Sequence, residues 1–295
     1  MLAPAKINLD LRVFPPTPDG FHPLRSWFRT VNLHDELTFT RLDEAPHDVD
    51  YEYAWTIDLQ GVPPELPGGS QNSIVEAWDE AHRAGAVADP LFCRVDLTKR
   101  IFAGGGLGGG SSDAAATLAS FDQMYARLGR TPLDRKGLFW TAGFVGSDVP
   151  FFLSHHLDGT TDATVTGRGE IIEPFTPARR HAVLLILPGL HVATPSVFKR
   201  FDQFPPPPER ETPEYAAWSA LPALELLPLL QNDLERPAFD LHPSLGELRQ
   251  ACEQTLGRPV RMTGSGSTLF TLYDDADEAA TAIGSLPAGV RGHVG

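Results

Sequence analysis

Six glycines fill seven positions between Gly104 and Gly110, interrupted only by Leu107, and run directly into Ser111-Ser112-Asp113 and an alanine-rich stretch. A flexible turn is the ordinary reading of so glycine-rich a stretch, but a linker would not lead straight into a capped helix. The pattern predicts a helix over Ala114–Met124, with Ser111 or Ser112 as N-cap. Asp113 then falls in the first turn, where exposed amides and the helix dipole favour negative charge. A glycine loop opening a helix lets backbone N–H groups approach an anion closely. Gly104, Gly105, Gly106, Leu107, Gly108, Gly109, Gly110, Ser111 and Ser112 therefore read as a phosphate cradle. No lysine follows the last glycine, so this is not a P-loop. Gly104, Gly106 and Gly109 satisfy G-x-G-x-x-G literally, but a dinucleotide site needs a second strand and an acidic residue about 20 residues on. Here Gln123–Gly129 continues the helix instead.

A cradle for phosphate must be a local feature, because the chain is acidic: 295 residues with a formal charge of −14. That balance argues against a nucleic-acid surface. Lysine occurs only at Lys6, Lys99, Lys136 and Lys199, against 20 arginines. No apolar run reaches the ~20 residues of a membrane span, and no signal-peptide pattern opens the sequence. Cys93 and Cys252 are too few and too scattered for a disulfide framework or a zinc site. The expectation is a cytoplasmic enzyme with a small-molecule substrate, without nucleic-acid or membrane partners, acting as a monomer or weak homodimer.

The chain length suits two domains. Ala5–Val13 alternates, with Ile7, Leu9, Leu11 and Val13 on one face, as a half-buried strand should. Phe28–Thr40, Tyr51–Leu59 and Leu91–Leu97 are further strand candidates, and Asn72–Ala84 carries a helical apolar stripe of Ile74, Ala77, Trp78 and Ala81. Gly137–Val145 reads as helix or turn, and Ala182–Leu187 as a buried strand. Residues 204–213 read as an exposed polyproline loop. Leu221–Leu230, Ser244–Leu256 and Asp277–Ser285 look helical, while Val260–Met262 and Thr268–Tyr273 look like strands. The sum is an α+β chain in two halves, placed at 1–155 and 156–295, with a cleft between them.

Three segments carry a resemblance to a known family. Gly104–Ala115, Pro4-Ala5-Lys6-Ile7-Asn8-Leu9 and Met262-Thr263-Gly264-Ser265-Gly266-Ser267 closely resemble, in order, the second, first and third motifs of the GHMP kinases. Asp19-Gly20-Phe21-His22-Pro23-Leu24, Asn72-Ser73-Ile74-Val75, Gly146-Ser147-Asp148-Val149-Pro150-Phe151-Phe152 and Leu187-Pro188-Gly189 with Thr194 narrow it further. They resemble the branch that phosphorylates the 2-hydroxyl of a cytidine-diphosphate-linked methylerythritol. The resemblance runs from residue 3 to about residue 273. It implies a two-domain GHMP kinase fold, an inter-domain active site, and ATP with Mg2+. Residues 1–155 would form the ATP-binding domain and 156–295 the substrate domain.

The family pattern assigns roles that the residues alone leave open. Phosphoryl transfer needs a cradle, a cation near the transferred group and an acceptor for the hydroxyl proton. Asp148 matches the catalytic base, although a lone aspartate in a Gly-Ser-Asp-Val-Pro turn is by itself an ordinary turn or cap residue. Lys6 matches the lysine that pairs with it and steadies the acceptor oxygen. Phe21 and His22 fall where the cytosine would stack and be read; relatives carry Tyr where this chain has Phe21. Asn8, Thr194, Thr263, Gly264 and Ser265 fall on the acceptor side, where hydroxyls and glycines suit a substrate carrying a diphosphate. Asn72 and Lys99 fall where relatives line the adenine pocket. Ser73 replaces a usual leucine and Phe102 a usual proline. No Asp, Glu and His set has metal-ligand spacing, so no protein metal site is expected; magnesium would be held by phosphates, water and a loop serine. A homoserine- or mevalonate-type kinase, and a non-catalytic sensor on the same fold, remain the alternatives.

Overall fold

The computed structural model describes residues 1–46, 56–85, 91–205 and 211–295, grouped into two compact units. The first unit comprises Met1–Ala5, His34–Ile101 and Gly108–Thr160; the second comprises Lys6–Leu33, Phe102–Leu107 and Thr161–Gly295. These units are not one cut of the chain at 155. Residues 6–33 and 102–107 group with the C-terminal part, because strands β1 (Leu2–Val13) and β2 (Leu24–Leu42) each run from one unit into the other.

In the first unit, Glu36–Leu42 of β2 pairs antiparallel with β4 (Phe92–Thr98), which pairs in parallel with β3 (Ile57–Gln60). Four helices complete it: α1 (Ser73–Ala84), α2 (Gly109–Arg127), α3 (Arg135–Val145) and α4 (Val149–Asp158). The Asn72 side chain caps α1 by accepting the Ile74 N–H at 3.0 Å. Ala114, Ala115, Ala116 and Ala119 leave little bulk on α2, so α1 and α4 both pack closely on it. Trp78 of α1 is fully buried, with Phe121 of α2 edge-on to it at 5.0 Å.

In the second unit, Ser26–Arg29 of β2 pairs with β5 (Asp162–Thr166), which continues to β6 (Ile171–Pro174). A separate antiparallel sheet runs in the order β10–β7–β9–β8 (Arg291–Val294, Ala182–Leu187, Leu269–Tyr273, Arg261–Met262). Against it lie α5 (Thr194–Phe201), α8 (Glu235–Leu241), α9 (Pro243–Leu256) and α10 (Ala276–Ala282), burying Leu184, Ile186, Val197, Leu245 and Leu269. Two single-turn helices, α6 (Tyr215–Trp218) and α7 (Ala223–Leu226), precede α8.

Several expectations change. Helix α2 starts at Gly109 rather than Ala114, with Gly108 as a left-handed N-cap at φ 70°. Ser111 and Ser112 lie inside the first turn, where the Ser112 N–H donates to the Gly108 carbonyl at 2.9 Å. Asp113 lies beyond that turn and is bound to Lys99. The helix expected at Leu221–Leu230 shrinks to α7, whose C-cap Leu227 is followed by Pro228, a residue with no N–H to continue the helical ladder. Strand β1 is buried on both faces from Ala3 to Val13, not half-buried. Its polar face is internally paired: Lys6 donates to Asn8 at 2.7 Å, Arg12 to Asp10 at 3.1 Å, and the Tyr215 hydroxyl to Asp10 at 2.8 Å. Most of the Tyr51–Leu59 strand candidate and the centre of the polyproline loop at 204–213 lie outside the described residues; β3 occupies the described end of the former.

Candidate active site

The second unit gathers three loops around the N-terminal half of β1. Gly104, Gly106 and Gly108 take φ 72°, 78° and 70°, so left-handed residues alternate with others along the glycine segment. Such alternation turns successive N–H groups toward one side and makes an anion-binding concavity. The loop is pinned from several directions. The Lys6 N–H donates to Leu107 O at 2.9 Å, and the Thr268 N–H donates to Gly105 O at 3.1 Å. A Cβ on Gly106 would fall 2.6 Å from the Thr263 carbonyl oxygen, so both its φ and its neighbour demand glycine. The Asn8 N–H donates to Thr263 Oγ1 at 2.8 Å, and the Asn8 carboxamide lies beside Gly264. Thr194, exposed at the start of α5, shares a 2.7 Å hydroxyl–hydroxyl hydrogen bond with Ser265. Asn8, Thr194, Thr263, Gly264 and Ser265 are thus neighbours of the Gly104–Leu107 stretch. Lys6, itself buried, places its ammonium 4.5 Å from the centre of the Phe28 ring.

Phe21 and His22 differ sharply in their surroundings. Phe21 is 54 % exposed, and the Arg168 guanidinium covers one face of its ring at 4.0 Å. Arg168 is held in place by Asp19. The His22 imidazole is buried instead. Its Nδ1 bonds the Phe14 carbonyl at 2.8 Å, its Nε2 faces Asp202 at 2.9 Å, and the Phe198 and Phe201 rings of α5 each lie 5.6 Å away.

In the first unit, a buried ion cluster supports the approach to the glycine segment. Lys99 donates to Asp35 at 2.5 Å and to Asp113 at 2.7 Å. Asp35 Oδ1 also accepts the N–H groups of Arg100 (2.5 Å) and Ile101 (2.8 Å), which fixes the chain just before the glycines. Burial alone would lower Lys99, but the two carboxylates outweigh it and hold it above its ordinary value. Burial pushes the Asp113 carboxyl up to about 7 despite the pull of Lys99. The Asn72 carboxamide is committed to capping α1 and to the Pro67 carbonyl at 3.0 Å. Ser73 donates to the Gly110 carbonyl at 2.9 Å, joining the starts of α1 and α2. Ser111 is half-buried, and Ser112 is fully buried with no partner for its hydroxyl among the described residues. Asp148 is half-buried at the N-cap of α4 and makes no side-chain capping bond. The preceding Gly146 approaches Ser111 closely enough that a Cβ would stand 3.8 Å from its hydroxyl. Among the described residues, no group of three or more His, Cys, Asp or Glu side chains could hold a metal ion, and no helix is long and apolar enough to cross a membrane.

Sequence reasoning missed Asp35, Arg168, Asp202 and His191, the last of which lies against Gly104. Each meets its partner from a distant part of the chain, so no local pattern marks it.

The N-terminal domain model of the GHMP kinases matches residues 72–156 and the C-terminal model matches 220–291, together more than half of the chain. With its glycine cradle and α+β fold, the protein is a kinase of the GHMP type. A 4-diphosphocytidyl-2-C-methyl-D-erythritol kinase from Salinispora arenicola is 35 % identical over 294 residues, covering 97 % of this chain and 86 % of the relative. The kinase of the same name from a Nocardioides species is 34 % identical, with 97 % and 92 % covered. A crystal structure of 4-(cytidine 5'-diphospho)-2C-methyl-D-erythritol kinase superposes with a TM-score of 0.77 at 33 % identity, covering 100 % of this chain and 97 % of that one. Homoserine kinase from Cytophaga hutchinsonii, at 14 % identity and a TM-score of 0.64, shares the fold alone. This chain belongs to the 4-diphosphocytidyl-2-C-methyl-D-erythritol kinase family.

Proposed function

We propose that the protein transfers the γ-phosphoryl group of ATP to the 2-hydroxyl of 4-diphosphocytidyl-2-C-methyl-D-erythritol, a step of non-mevalonate isoprenoid precursor synthesis. The observation that carries this reading is the similarity to kinases of that name along nearly the whole chain. Asp148 accepts the hydroxyl proton, and Lys6 supplies positive charge to the acceptor oxygen. The segment from Gly104 to Ser112 cradles phosphate through backbone N–H groups. Asn72 and Lys99 line the nucleotide side, acting through the chain they brace, since their polar atoms are engaged by protein groups. Asn8, Thr194, Thr263, Gly264 and Ser265 hold the acceptor. Residues 1–155 carry the nucleotide site and 156–295 the acceptor site, with Asn8, Phe21 and His22 working alongside the latter.

Magnesium enters with ATP. Among the described residues no carboxylate cluster fits it, whereas the half-buried Ser111 hydroxyl offers a hard oxygen ligand beside phosphates and water. Bound there, the ion neutralises phosphate charge. The enzyme works in the cytoplasm as a monomer or weak homodimer, with no nucleic-acid partner. A substrate panel tests the reading: ATP turnover should be fast with the cytidine-capped acceptor and negligible with free methylerythritol, homoserine or mevalonate. Equal turnover of homoserine would sink it.

Phe21 and His22 form the cytidine platform in this proposal. Arg168 backs one face of Phe21 and leaves the other for a base. The Phe14 carbonyl fixes His22 at Nδ1, so that Nε2 is the nitrogen to engage a base edge in place of the half-exposed Asp202. Base stacking on an aromatic ring contributes about 1–3 kcal/mol. Phe21→Ala should therefore raise the acceptor KM by one to two decades with little change in the KM for ATP, while Phe21→Tyr stays near wild type.

A further inference from the structure

We propose that His191 is a phosphate-binding residue of this kinase, its imidazole donating a ring N–H to a phosphate oxygen lodged at the Gly104 end of the glycine segment. The inference rests on the proposed function above, because it requires that segment to hold a phosphate-bearing substrate.

The geometry is unusual for a surface histidine. His191 lies in the loop between β7 and α5, and its side chain is exposed. A Cβ on Gly104 would fall 1.9 Å from its Nδ1 and 2.4 Å from its Cε1, so the ring lies directly on the glycine backbone. Gly104 is also the first of the alternating left-handed glycines, at φ 72°. The left-handed φ favours glycine there, and a Cβ would also have to displace this imidazole.

The ring does not sit on a freely swinging loop. The Leu190 carbonyl on one side accepts from the Ser267 hydroxyl. On the other side, the Val192 N–H points to the Gly104 carbonyl at 3.4 Å, and Val192 itself is buried. Both flanks of His191 are thus tied to the loops that carry Thr263–Ser265 and the glycines. Among the described residues the ring has no hydrogen-bond partner of its own. A solvent-facing donor without a partner, on a backbone anchored at both flanks and laid against a segment shaped for an anion, is suited to complete a phosphate's coordination. In a chain with a formal charge of −14, an anion site has to be built from such local donors. The imidazole keeps at least one N–H in either protonation state, so the contact does not depend on its charge.

The competing explanation is that His191 merely fills the space above Gly104. His191→Leu retains that filling and removes the donor, while His191→Asn removes bulk and retains a donor. Steady-state kinetics with both substrates should be read alongside calorimetry with a non-hydrolysable ATP analogue and with cytidine diphosphate. The expected result is an about tenfold rise in KM and Kd for one phosphate ligand in His191→Leu, with kcat and melting temperature near wild type. His191→Asn should recover most of the loss. A rise on the ATP side assigns the contact to the donor's phosphates, and a rise on the cytidine side to the acceptor's diphosphate. If a folded His191→Leu protein binds both ligands as wild type does, the proposal is overturned. The calorimetric arms need no turnover, so a failure of the proposed acceptor in the substrate panel would be seen separately.

Discussion

Asp148→Asn should lower kcat by ~10²–10⁴ while leaving ATP affinity nearly unchanged, the loss expected when a positioned general base can no longer take a proton. The amide is isosteric with the carboxylate but has no lone pair basic enough to accept the hydroxyl proton as the phosphoryl group moves. Folding should survive the change. The start of α4 is held by the burial of Val149, Pro150, Phe151 and Phe152, none of which the change touches. Turnover and nucleotide binding therefore separate the chemical role from a structural one. Wild-type kcat in a correctly folded variant would remove Asp148 from the mechanism.

The second large effect is on stability. Lys99→Met should destabilise the protein by about 3–5 kcal/mol, because it leaves Asp35 and Asp113 buried side by side without their cation. Thermal unfolding should show a fall on the order of 10 °C. The same cluster makes stability depend on pH. The folded Asp113 carboxyl, pushed up to about 7 by burial, binds its proton more tightly than the unfolded one at 3.8. Its contribution is therefore fully present below pH 3.8 and is lost as pH rises through about 7. Asp113→Asn alone should flatten the decline in stability across that window. If Asp113→Asn lost as much unfolding free energy between pH 5 and pH 8 as the wild type in denaturant titrations, this account would be contradicted.

The sequence shows most clearly those parts whose causes are local. Strand β7 coincides with the apolar run Ala182–Leu187, and α1 begins one residue after Asn72, whose side chain caps it. The glycine segment is legible as a cradle because its function depends on missing side chains. What escapes is set by partners distant in the chain. Lys99 reads locally as a polar residue after a strand, yet Asp35, 64 residues away, makes it part of a buried cluster. Alternation in β1 reveals one apolar face, but not that Ser26, Tyr215 and the residues of the strand itself would satisfy the other. The serine cap expected on α2 fails for a conformational reason: Gly108 enters the left-handed region and starts the helix early. His22 could be read as a base-contacting residue from its motif, whereas its pairing with Asp202 requires the fold.

The sharing of β2 limits how this enzyme can be divided or recombined. A fragment ending at residue 155 would retain Ser26–Arg29 but lack β5, leaving that stretch as a bare sheet edge. It would also strip Trp27 and Arg29 of Asp162, the carboxylate to which both donate, at 2.8 Å and 2.7 Å. An exposed edge with an unpartnered buried guanidinium invites aggregation rather than independent folding. Chimeras that exchange acceptor preference between relatives would accordingly need a discontinuous graft, in which residues 6–33 and 102–107 travel with 161–295 as a single inherited piece.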